Sequence, residues 1–481
     1  MNSLLKIKTK QFQSLKAFHM QDLRQEILDS KEQFLPTNGP EFGTQLISLY
    51  IYLYGMLARS WCTQPDEDNI SEDCLFLNIY VPHNRFDNQT KQMKKSVMFW
   101  VHGGSFITGS IFSQQFNATY LSSMGDVVVV EANYRLSAFG LLYDGSEEAP
   151  GNQALSDLLI ALKFVKNNIE FFGGDPNSVT LFGESAGSMA VSALILIKNE
   201  NLFNRAIMQS GSVDSYLGSE AKESALIKAQ DLAKEFKCFD ELTNKINISC
   251  LRNADPKQLA TSCNKMRYNN QFFTPIFGED LLPIKPSIVL EKGEFNKNIS
   301  LLFGTCNDEG SGFVSSFGFQ DLSSSSPNSS MNLEKAHFMI ELLFGVMKVS
   351  YSKEVADFYT KGLTDNDGYE LKKAVSNAFG DYQLTCPTIR FGAHLAVNDN
   401  SYAYRLTFST RDNWTGVQHG DELKYVFGNP FLYPNDYSKD EKQLSLTFIQ
   451  TWTTFAKTGK PPQIHRTHWP QAIDKKITDY S

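Results

Sequence analysis

The sequence predicts an α/β fold with a mostly parallel central sheet flanked by helices. Short apolar runs rich in β-branched and aromatic residues recur along the chain, and stretches with helical spacing of apolar residues separate them. Strands that alternate with helices usually lie parallel, because each return to the same end of the sheet needs a crossover connection. Ligands are then expected at the carboxyl ends of the strands.

The regular elements begin near residue 75. The predicted strands are 75–81, 96–101, 127–134 and 178–182, and the predicted helices are 152–172, 186–197, 220–236 and 333–347. Residues 322–330, LSSSSPNSS, are expected to form a polar surface linker or the tip of a lid. Because no internal repeat or break in composition divides residues 61–481, we expect them to form one domain. Residues 1–60 carry no clear series of strands and are treated as an atypical N-terminal segment, either disordered or not native.

Composition excludes several classes of protein. The chain has 481 residues, of which 42% are hydrophobic and 20% charged, as in ordinary soluble proteins. Its 45 basic and 53 acidic side chains leave a net charge of −8, which gives no electrostatic reason to expect nucleic acid as a partner. Residues 1–20 lack the apolar core of a signal peptide, and the apolar run 46–58 is too short to span a bilayer.

Ser185 lies in the pattern of a nucleophile elbow. The sequence GESAG, at 183–187, stands between the predicted strand 178–182 and the predicted helix 186–197. In that context the serine occupies a strained turn, and the flanking glycines remove side chains that would clash there. The helix N-terminus also favours developing negative charge. The five-residue pattern alone is common in loops, but the flanking elements make Ser185 the candidate nucleophile of an α/β-hydrolase fold.

A glycine-rich turn, HGGSF at 102–106, follows the strand 96–101. Acyl transfer creates a negatively charged oxygen that backbone N–H groups must approach closely, and glycines permit this approach. We expect the N–H groups of Gly104, Ser105 and Ala186 to form an oxyanion hole and Gly103 to shape its loop. A Gly-Gly pair without this context would be an ordinary turn.

The base and the acid are expected downstream of the nucleophile. Among the later histidines, His419 lies in a glycine-flanked turn, GVQHGDEL, that can present an imidazole from a loop. The acid is expected in the turn after the apolar run LLF, which contains both Asp308 and Glu309. Either carboxylate could orient and stabilise the imidazole, so the residues alone do not choose between them.

Cysteines and glycosylation signals favour the secretory route. Cys62 with Cys74, and Cys238 with Cys250, bracket short polar stretches and are disulfide candidates, whereas in a reduced intracellular protein they would be small core residues. Asn-x-Ser/Thr sequons occur at Asn69, Asn88, Asn117, Asn247, Asn298, Asn328 and Asn413. We therefore expect a secreted glycoprotein.

Eight segments resemble, in order, motifs of the type-B carboxylesterase and cholinesterase family. They are SEDCLFLNIYVP (71–82), HGGSF (102–106), NYRLSAFG (133–140), FGGDPNSVTLFGESAGS (172–188), RAIMQSGS (205–212), GTCNDEGS (304–311), HGDELKYVFG (419–428) and WTTFAKTGKPP (452–462). The resemblance covers about residues 60–470. It implies an α/β-hydrolase that hydrolyses carboxylic esters without a metal or organic cofactor and is usually secreted.

The resemblance also implies roles for particular residues. It makes Glu309, rather than Asp308, the acid of a Ser-His-Glu triad. It further implies a buried ion pair between Arg135 and Asp175, and disulfides within the two cysteine pairs named above.

Two departures bear on the substrate. Cholinesterases place a choline-stacking tryptophan where residues 62–74 contain none, and residues 1–60 lack the family's opening strands. We therefore expect a general carboxylesterase for small-molecule esters, with Phe106, Phe272 and Phe273 as either pocket walls or, more simply, core. The alternative is a catalytically silent binding or adhesion protein on the same fold, but all three triad candidates are present.

Overall fold

Eight strands form one sheet in the computed structural model, which describes residues 44–49 (backbone only), 71–82, 93–197, 201–396, 400–464 and 469–472. The strands are β1 Thr44–Leu49, β2 Leu77–Pro82, β3 Lys95–Val101, β4 Val128–Ala132, β5 Gly174–Glu184, β6 Arg205–Gln209, β7 Ser300–Cys306 and β8 Ser401–Leu406. Their spatial order is β1-β2-β4-β3-β5-β6-β7-β8. Strand β2 is antiparallel to β1 and β4, and the strands from β4 to β8 pair in parallel. The predicted α/β class with a mostly parallel sheet is confirmed.

Helices cover both faces and the carboxyl edge of this sheet. They are α1 Thr119–Gly125, α2 Ser137–Leu141, α3 Gln153–Asn168, α4 Ala186–Leu196, α5 Lys222–Glu235, α6 Ile248–Arg252, α7 Pro256–Tyr268, α8 Pro286–Lys292, α9 Ser311–Ser316, α10 Leu333–Val346, α11 Ser352–Tyr359, α12 Gly368–Gly380, α13 Cys386–Leu395, α14 Leu423–Val426, α15 Asn429–Leu432 and α16 Lys439–Thr458. A π-helical turn, Asp381–Thr385, joins α12 to α13. The helix predicted over 152–172 is observed as α3 followed by the 3-10 turn Ile169–Phe172.

Successive side chains of each strand point to opposite faces of the sheet, so the core around the sheet has two layers. In β3, Phe99 and Val101 pack in the layer that contains α3 and α4, whereas Met98 and Trp100 pack in the layer that contains α1 and α16. Because successive strand residues point to opposite faces, a strand buried on both sides reads as a continuous apolar run. This is why the strands were recognisable from sequence.

One strand lies inside the N-terminal segment that the sequence sets apart. Strand β1 pairs with β2, with Ile47 opposite Ile79. The run of apolar residues that was too short for a membrane span therefore contributes an edge strand. The rest of residues 1–60, and Cys62 with its expected partnership to Cys74, lie outside the described residues, and the boundary at 60 stays a prediction.

The expected ion pair between Arg135 and Asp175 is wrong. Arg135 instead holds Asp157 of α3 through two short contacts, from Nη2 to Oδ1 at 2.6 Å and from Nε to Oδ2 at 2.7 Å. Arg135 follows the carboxyl end of β4, whereas Asp175 lies at the amino end of β5. Because β4 and β5 run in the same direction on either side of β3, these two ends lie on opposite edges of the sheet. Asp175 accepts a hydrogen bond from the Asn177 N–H at 2.9 Å.

A disulfide joins Cys238 and Cys250, as expected, with their Cα atoms 5.5 Å apart. Cys263, Cys306 and Cys386 carry free thiols. None of the helices in the described part of the chain has both the length and the apolar character needed to cross a bilayer.

Candidate active site

The candidate residues meet at the carboxyl edge of the sheet. The glycine-rich turn follows β3, Ser185 follows β5, Glu309 follows β7, and His419 lies between β8 and α14. Parallel strands deliver these four loops to the same edge although they are far apart in the sequence. A pocket that is partly open to solvent is lined by Ser105, Ser185 and Ala186.

Ser185 occupies the strained turn that the sequence predicted. Its φ of 57° and ψ of −125° are rarely adopted by a residue with a side chain, and its N–H donates to the carbonyl of Gln209 at 2.8 Å. The flanking glycines allow β3 to approach. A Cβ on Gly187 would lie 2.1 Å from the Val101 carbonyl oxygen, and one on Gly183 would lie 2.8 Å from it. The turn therefore needs glycine at both positions.

The glycine-rich turn packs directly on the elbow. A Cβ on Gly103 would lie 2.7 Å from the Glu184 carbonyl oxygen and 3.0 Å from the Ser185 Cβ. Gly104 has a φ of 115°, and its carbonyl accepts from the N–H groups of Ile107 and Thr108, which closes the turn. The turn and the elbow are therefore in close contact, and the oxyanion hole stays a prediction.

His102, the first residue of this turn, is held in place by Tyr134. Its ring stacks on Tyr134 with the centroids 4.5 Å apart, and the Tyr134 hydroxyl donates to the His102 carbonyl at 2.8 Å. Burial lowers the pKa of His102 to about 4, so the ring is neutral at physiological pH. A buried neutral ring fixes the turn without adding charge beside the pocket.

His419 and Glu309 are joined. The Nδ1 of His419 lies 2.6 Å from Oε2 of Glu309, whose side chain is almost fully buried. The other oxygen of Glu309 accepts from the Ser210 hydroxyl at 2.5 Å and from the Cys306 N–H at 2.6 Å. Both oxygens of this carboxylate are therefore committed, which fixes its orientation towards the imidazole.

Asp308 turns away from the histidine. It forms a buried ion pair with Lys373 and accepts from the Val417 N–H at 2.8 Å. The two adjacent carboxylates, between which the residues alone did not choose, thus have different partners. Glu309 contacts the imidazole, and Asp308 holds the loop that precedes His419.

The second nitrogen of His419 faces a further carboxylate. Its Nε2 lies 3.0 Å from Oε1 of Glu184, the residue before Ser185, but the alignment is not that of a hydrogen bond. Among the described residues, Nε2 has no hydrogen-bond partner. The imidazole therefore lies over the nucleophile elbow between two carboxylates.

These carboxylates set the charge of the imidazole. Burial lowers the pKa of His419, but the negative charges of Glu184 and Glu309 outweigh burial and raise that pKa well above its usual value. The imidazolium form is consequently favoured in the resting site. Deprotonation of this ring at higher pH would leave one ring nitrogen free to accept a proton.

A prediction about pH dependence follows from this arrangement. Glu184→Gln removes one of the two charges that favour the imidazolium, so we expect the acid limb of the pH profile of kcat/KM to move to lower pH. Steady-state ester hydrolysis measured across that limb tests this. The exposed Glu334→Gln serves as the control, and an unchanged limb in Glu184→Gln would contradict the electrostatic role.

Three residues next to the triad candidates were missed from sequence. Ser210 and Glu422 are fully buried, and Cys306 donates its thiol proton to Glu422 at 3.0 Å. Burial, reinforced by Glu184 and Glu309, raises the pKa of Glu422 to about 7. Each of them lies in a motif that the sequence analysis names. Ser210 and Cys306 lie at the ends of apolar strands, and Glu422 lies three residues after His419. These positions were the signal that could have identified them.

The remaining sequence candidates divide between pocket and core. Phe272 lines the pocket, whereas Phe106 and Phe273 are buried in the core layer that contains α3 and α4. Burial in the core was the simpler of the two roles expected for them. His337 approaches Thr360, with Nε2 2.6 Å from Oγ1, away from the sheet edge. His465 and His468 lie outside the described residues.

Comparison with known proteins identifies the group to which this arrangement belongs. The model of the carboxylesterase family matches residues 56–480. The chain belongs to the carboxylesterase family. This membership makes it a carboxylic ester hydrolase of the serine esterase class, with the α/β-hydrolase fold.

Similar carboxylesterase-family proteins include acetylcholinesterases. The chain is 35% identical to acetylcholinesterase-1 of Trittame loki over 423 residues, 83% of this chain and 74% of the relative. It is 34% identical to acetylcholinesterase of Leptinotarsa decemlineata over 418 residues, 82% of this chain and 66% of the relative. It is 33% identical to acetylcholinesterase of Bungarus fasciatus over 421 residues, 83% of this chain and 67% of the relative. The matched part of this carboxylesterase-family chain thus spans about two thirds to three quarters of the length of these relatives.

Proposed function

We propose that the chain is a general carboxylesterase that acts through Ser185, His419 and Glu309 and forms an acyl-enzyme. The observation that carries this proposal is the contact of His419 with Glu309 at the sheet edge where Ser185 occupies its strained turn. In the proposed reaction, Nε2 of neutral His419 accepts the Ser185 proton, and Oγ attacks the ester carbonyl. The imidazolium then protonates the departing alcohol, and water repeats the sequence on the acyl-enzyme.

The other residues of the site support this chemistry. Nε2 has no hydrogen-bond partner among the described residues, but the Glu184 carboxylate lies 3.0 Å away and stabilises the imidazolium, so Nε2 accepts the serine proton only once the ring is neutral. The backbone N–H groups of Gly104, Ser105 and Ala186 would bind the oxyanion, with Gly103 allowing the turn to approach. One such donor is typically worth about 10²–10³ in rate.

The pocket favours a general ester over choline. Tryptophan is the best cation–π partner for a quaternary ammonium, and among the described residues none lines the pocket. Trp100, Trp414 and Trp452 are buried elsewhere. Cholinesterase activity is the second candidate function, because the similar proteins are named acetylcholinesterases.

A labelling experiment tests this proposal. A fluorophosphonate should label the protein, and peptide mapping should locate the adduct at Ser185. A protein that is not labelled and does not hydrolyse p-nitrophenyl butyrate would be the silent homologue.

A comparison of substrates separates the two candidate activities. We expect kcat/KM for butyrylthiocholine to be no greater than that for S-(3,3-dimethylbutyl) thiobutyrate, its uncharged analogue. A clear preference for butyrylthiocholine would make the protein a cholinesterase. Both substrates are thioesters with the same acyl group and the same shape, so the comparison isolates recognition of the quaternary ammonium.

Secretion is part of the proposal and has its own test. The Cys238–Cys250 disulfide suits an oxidising compartment, and the asparagines of four sequons are exposed. They are Asn247, Asn298, Asn328 and Asn413. Protein expressed in animal cells should appear in the medium and lose mass on treatment with peptide-N-glycosidase F, whereas retention in the cytosol with no loss of mass would contradict this.

A further inference from the structure

The pocket over Ser185 is apolar except for a few groups. Its apolar walls are Met189, Leu217, Phe272, Phe313, Phe379 and Leu384. Besides Ser105 and Ser185, the polar side chains that line it are Thr274 and Gln383. The Thr274 hydroxyl already donates to Glu220 at 3.3 Å, so it has a protein partner.

Gln383 differs from Thr274 because part of its amide lacks a partner. The side chain is only 2% exposed. Its Nε2 donates to the sulfur of Met347 at 2.8 Å, and thioether sulfur is a weak acceptor. Its Oε1 is buried and has no hydrogen-bond partner within the described part of the chain. Buried amide oxygens nearly always have a partner, so this oxygen needs an explanation.

The local backbone explains how Gln383 reaches the pocket wall. Gln383 lies in the π-helical turn Asp381–Thr385, which joins α12 to α13. Short π-helical turns of this kind are frequent at functional sites. The wider turn places Gln383 and Leu384 side by side on the pocket wall. The Tyr359 hydroxyl holds the start of the turn by donating to Asp381 at 2.9 Å. Gln383 therefore lies on a segment that this hydrogen bond holds in place.

We propose that Gln383 is a specificity-determining residue that accepts a hydrogen bond from a hydroxyl or amide N–H of the substrate. This inference rests on the proposed esterase function. The preferred esters would combine an apolar portion that fills the pocket with one hydrogen-bond donor that reaches Oε1. An ester without the donor leaves that oxygen unsatisfied in an apolar environment, and sites built in this way discriminate strongly against such analogues.

Matched pairs of substrates test the proposal. The p-nitrophenyl esters of 3-hydroxybutanoic and 6-hydroxyhexanoic acids are compared with their O-methyl ethers, which keep the oxygen but lack the donor. In the wild type we expect kcat/KM for the hydroxy ester to exceed that for its ether by about tenfold or more in at least one of the two pairs. In Gln383→Leu and Gln383→Met this ratio should fall to near one.

The controls separate this inference from the proposed function. Thr274→Val, on the same pocket, should keep the wild-type ratio, and thermal unfolding identifies any variant that is misfolded. Failure of wild-type protein to hydrolyse p-nitrophenyl butyrate or to be labelled at Ser185 would contradict the function itself. The role of Gln383 alone would be overturned if the wild type hydrolyses p-nitrophenyl butyrate but has equal kcat/KM for the hydroxy esters and their ethers. It would also be overturned if the ratio of kcat/KM values is unchanged in both Gln383 variants.

Discussion

Ser185→Ala is expected to reduce kcat for p-nitrophenyl butyrate by about 10⁴-fold or more, to the level of a site that only binds and polarises the ester. The expectation depends on the position of the hydroxyl. The turn that carries Ser185 holds φ at 57°, which costs free energy and is retained only where the surroundings impose it. Alanine keeps the Cβ and the turn, so the change removes the nucleophile and little else.

Ser188→Ala is the matched control for this prediction. Ser188 lies in the first turn of α4, is fully buried, and donates its hydroxyl to the Gly211 carbonyl at 2.6 Å. Its hydroxyl holds two backbone segments together and does not line the pocket. We expect some loss of thermal stability with kcat largely retained. Wild-type activity in Ser185→Ala would exclude the acyl-enzyme mechanism.

Glu309→Gln should lower kcat by about 10⁴-fold, because it would reverse the hydrogen bonding of the imidazole. Ser210 and the Cys306 N–H both donate to Oε1, so this position must remain an acceptor. The amide NH₂ of glutamine would then face Nδ1 of His419 and donate to it. The proton of a neutral ring would have to move to Nε2, the nitrogen that must accept a proton from Ser185.

Asp308→Asn is the comparison for this variant. It breaks the buried ion pair with Lys373, which typically costs about 3–5 kcal/mol in the free energy of unfolding. We therefore expect a lower melting temperature but a kcat within about tenfold of wild type, because Asp308 does not contact the imidazole. Steady-state kinetics and thermal unfolding of both variants check this. A larger loss of kcat in Asp308→Asn than in Glu309→Gln would mean that Asp308, and not Glu309, is the acid that orients His419.

The local features of the site were predictable from sequence. The strand before 183–187 and the helix after it both read as short apolar runs, so the position of Ser185 in a tight turn followed from neighbours within ten residues or so. The same holds for the glycine-rich turn at 102–106, which directly follows a buried strand. In both cases the determining contacts involve glycines, whose missing Cβ atoms are visible in the sequence itself.

Partnerships between distant residues were not predictable in the same way. His419 and Glu309 are 110 positions apart, and their contact depends on the pairing of β7 with β8. Arg135 was assigned to Asp175 by resemblance, but the direction of β5 places that carboxylate at the far edge. The orphaned oxygen of Gln383 depends on a π-helical turn that no periodicity indicated.

By itself, the sequence determined the α/β architecture, the elbow at Ser185 and the glycine-rich turn beside it, because each depends on periodicity or on glycine over a short stretch of chain. The choice of Glu309 over Asp308 came from the family resemblance and not from the residues alone. The tertiary structure alone decided that Glu184 lies at the other side of the His419 ring and that Arg135 pairs with Asp157. These contacts depend on the order and direction of strands in one sheet. That arrangement is set by packing over the whole chain, so no local pattern specifies it.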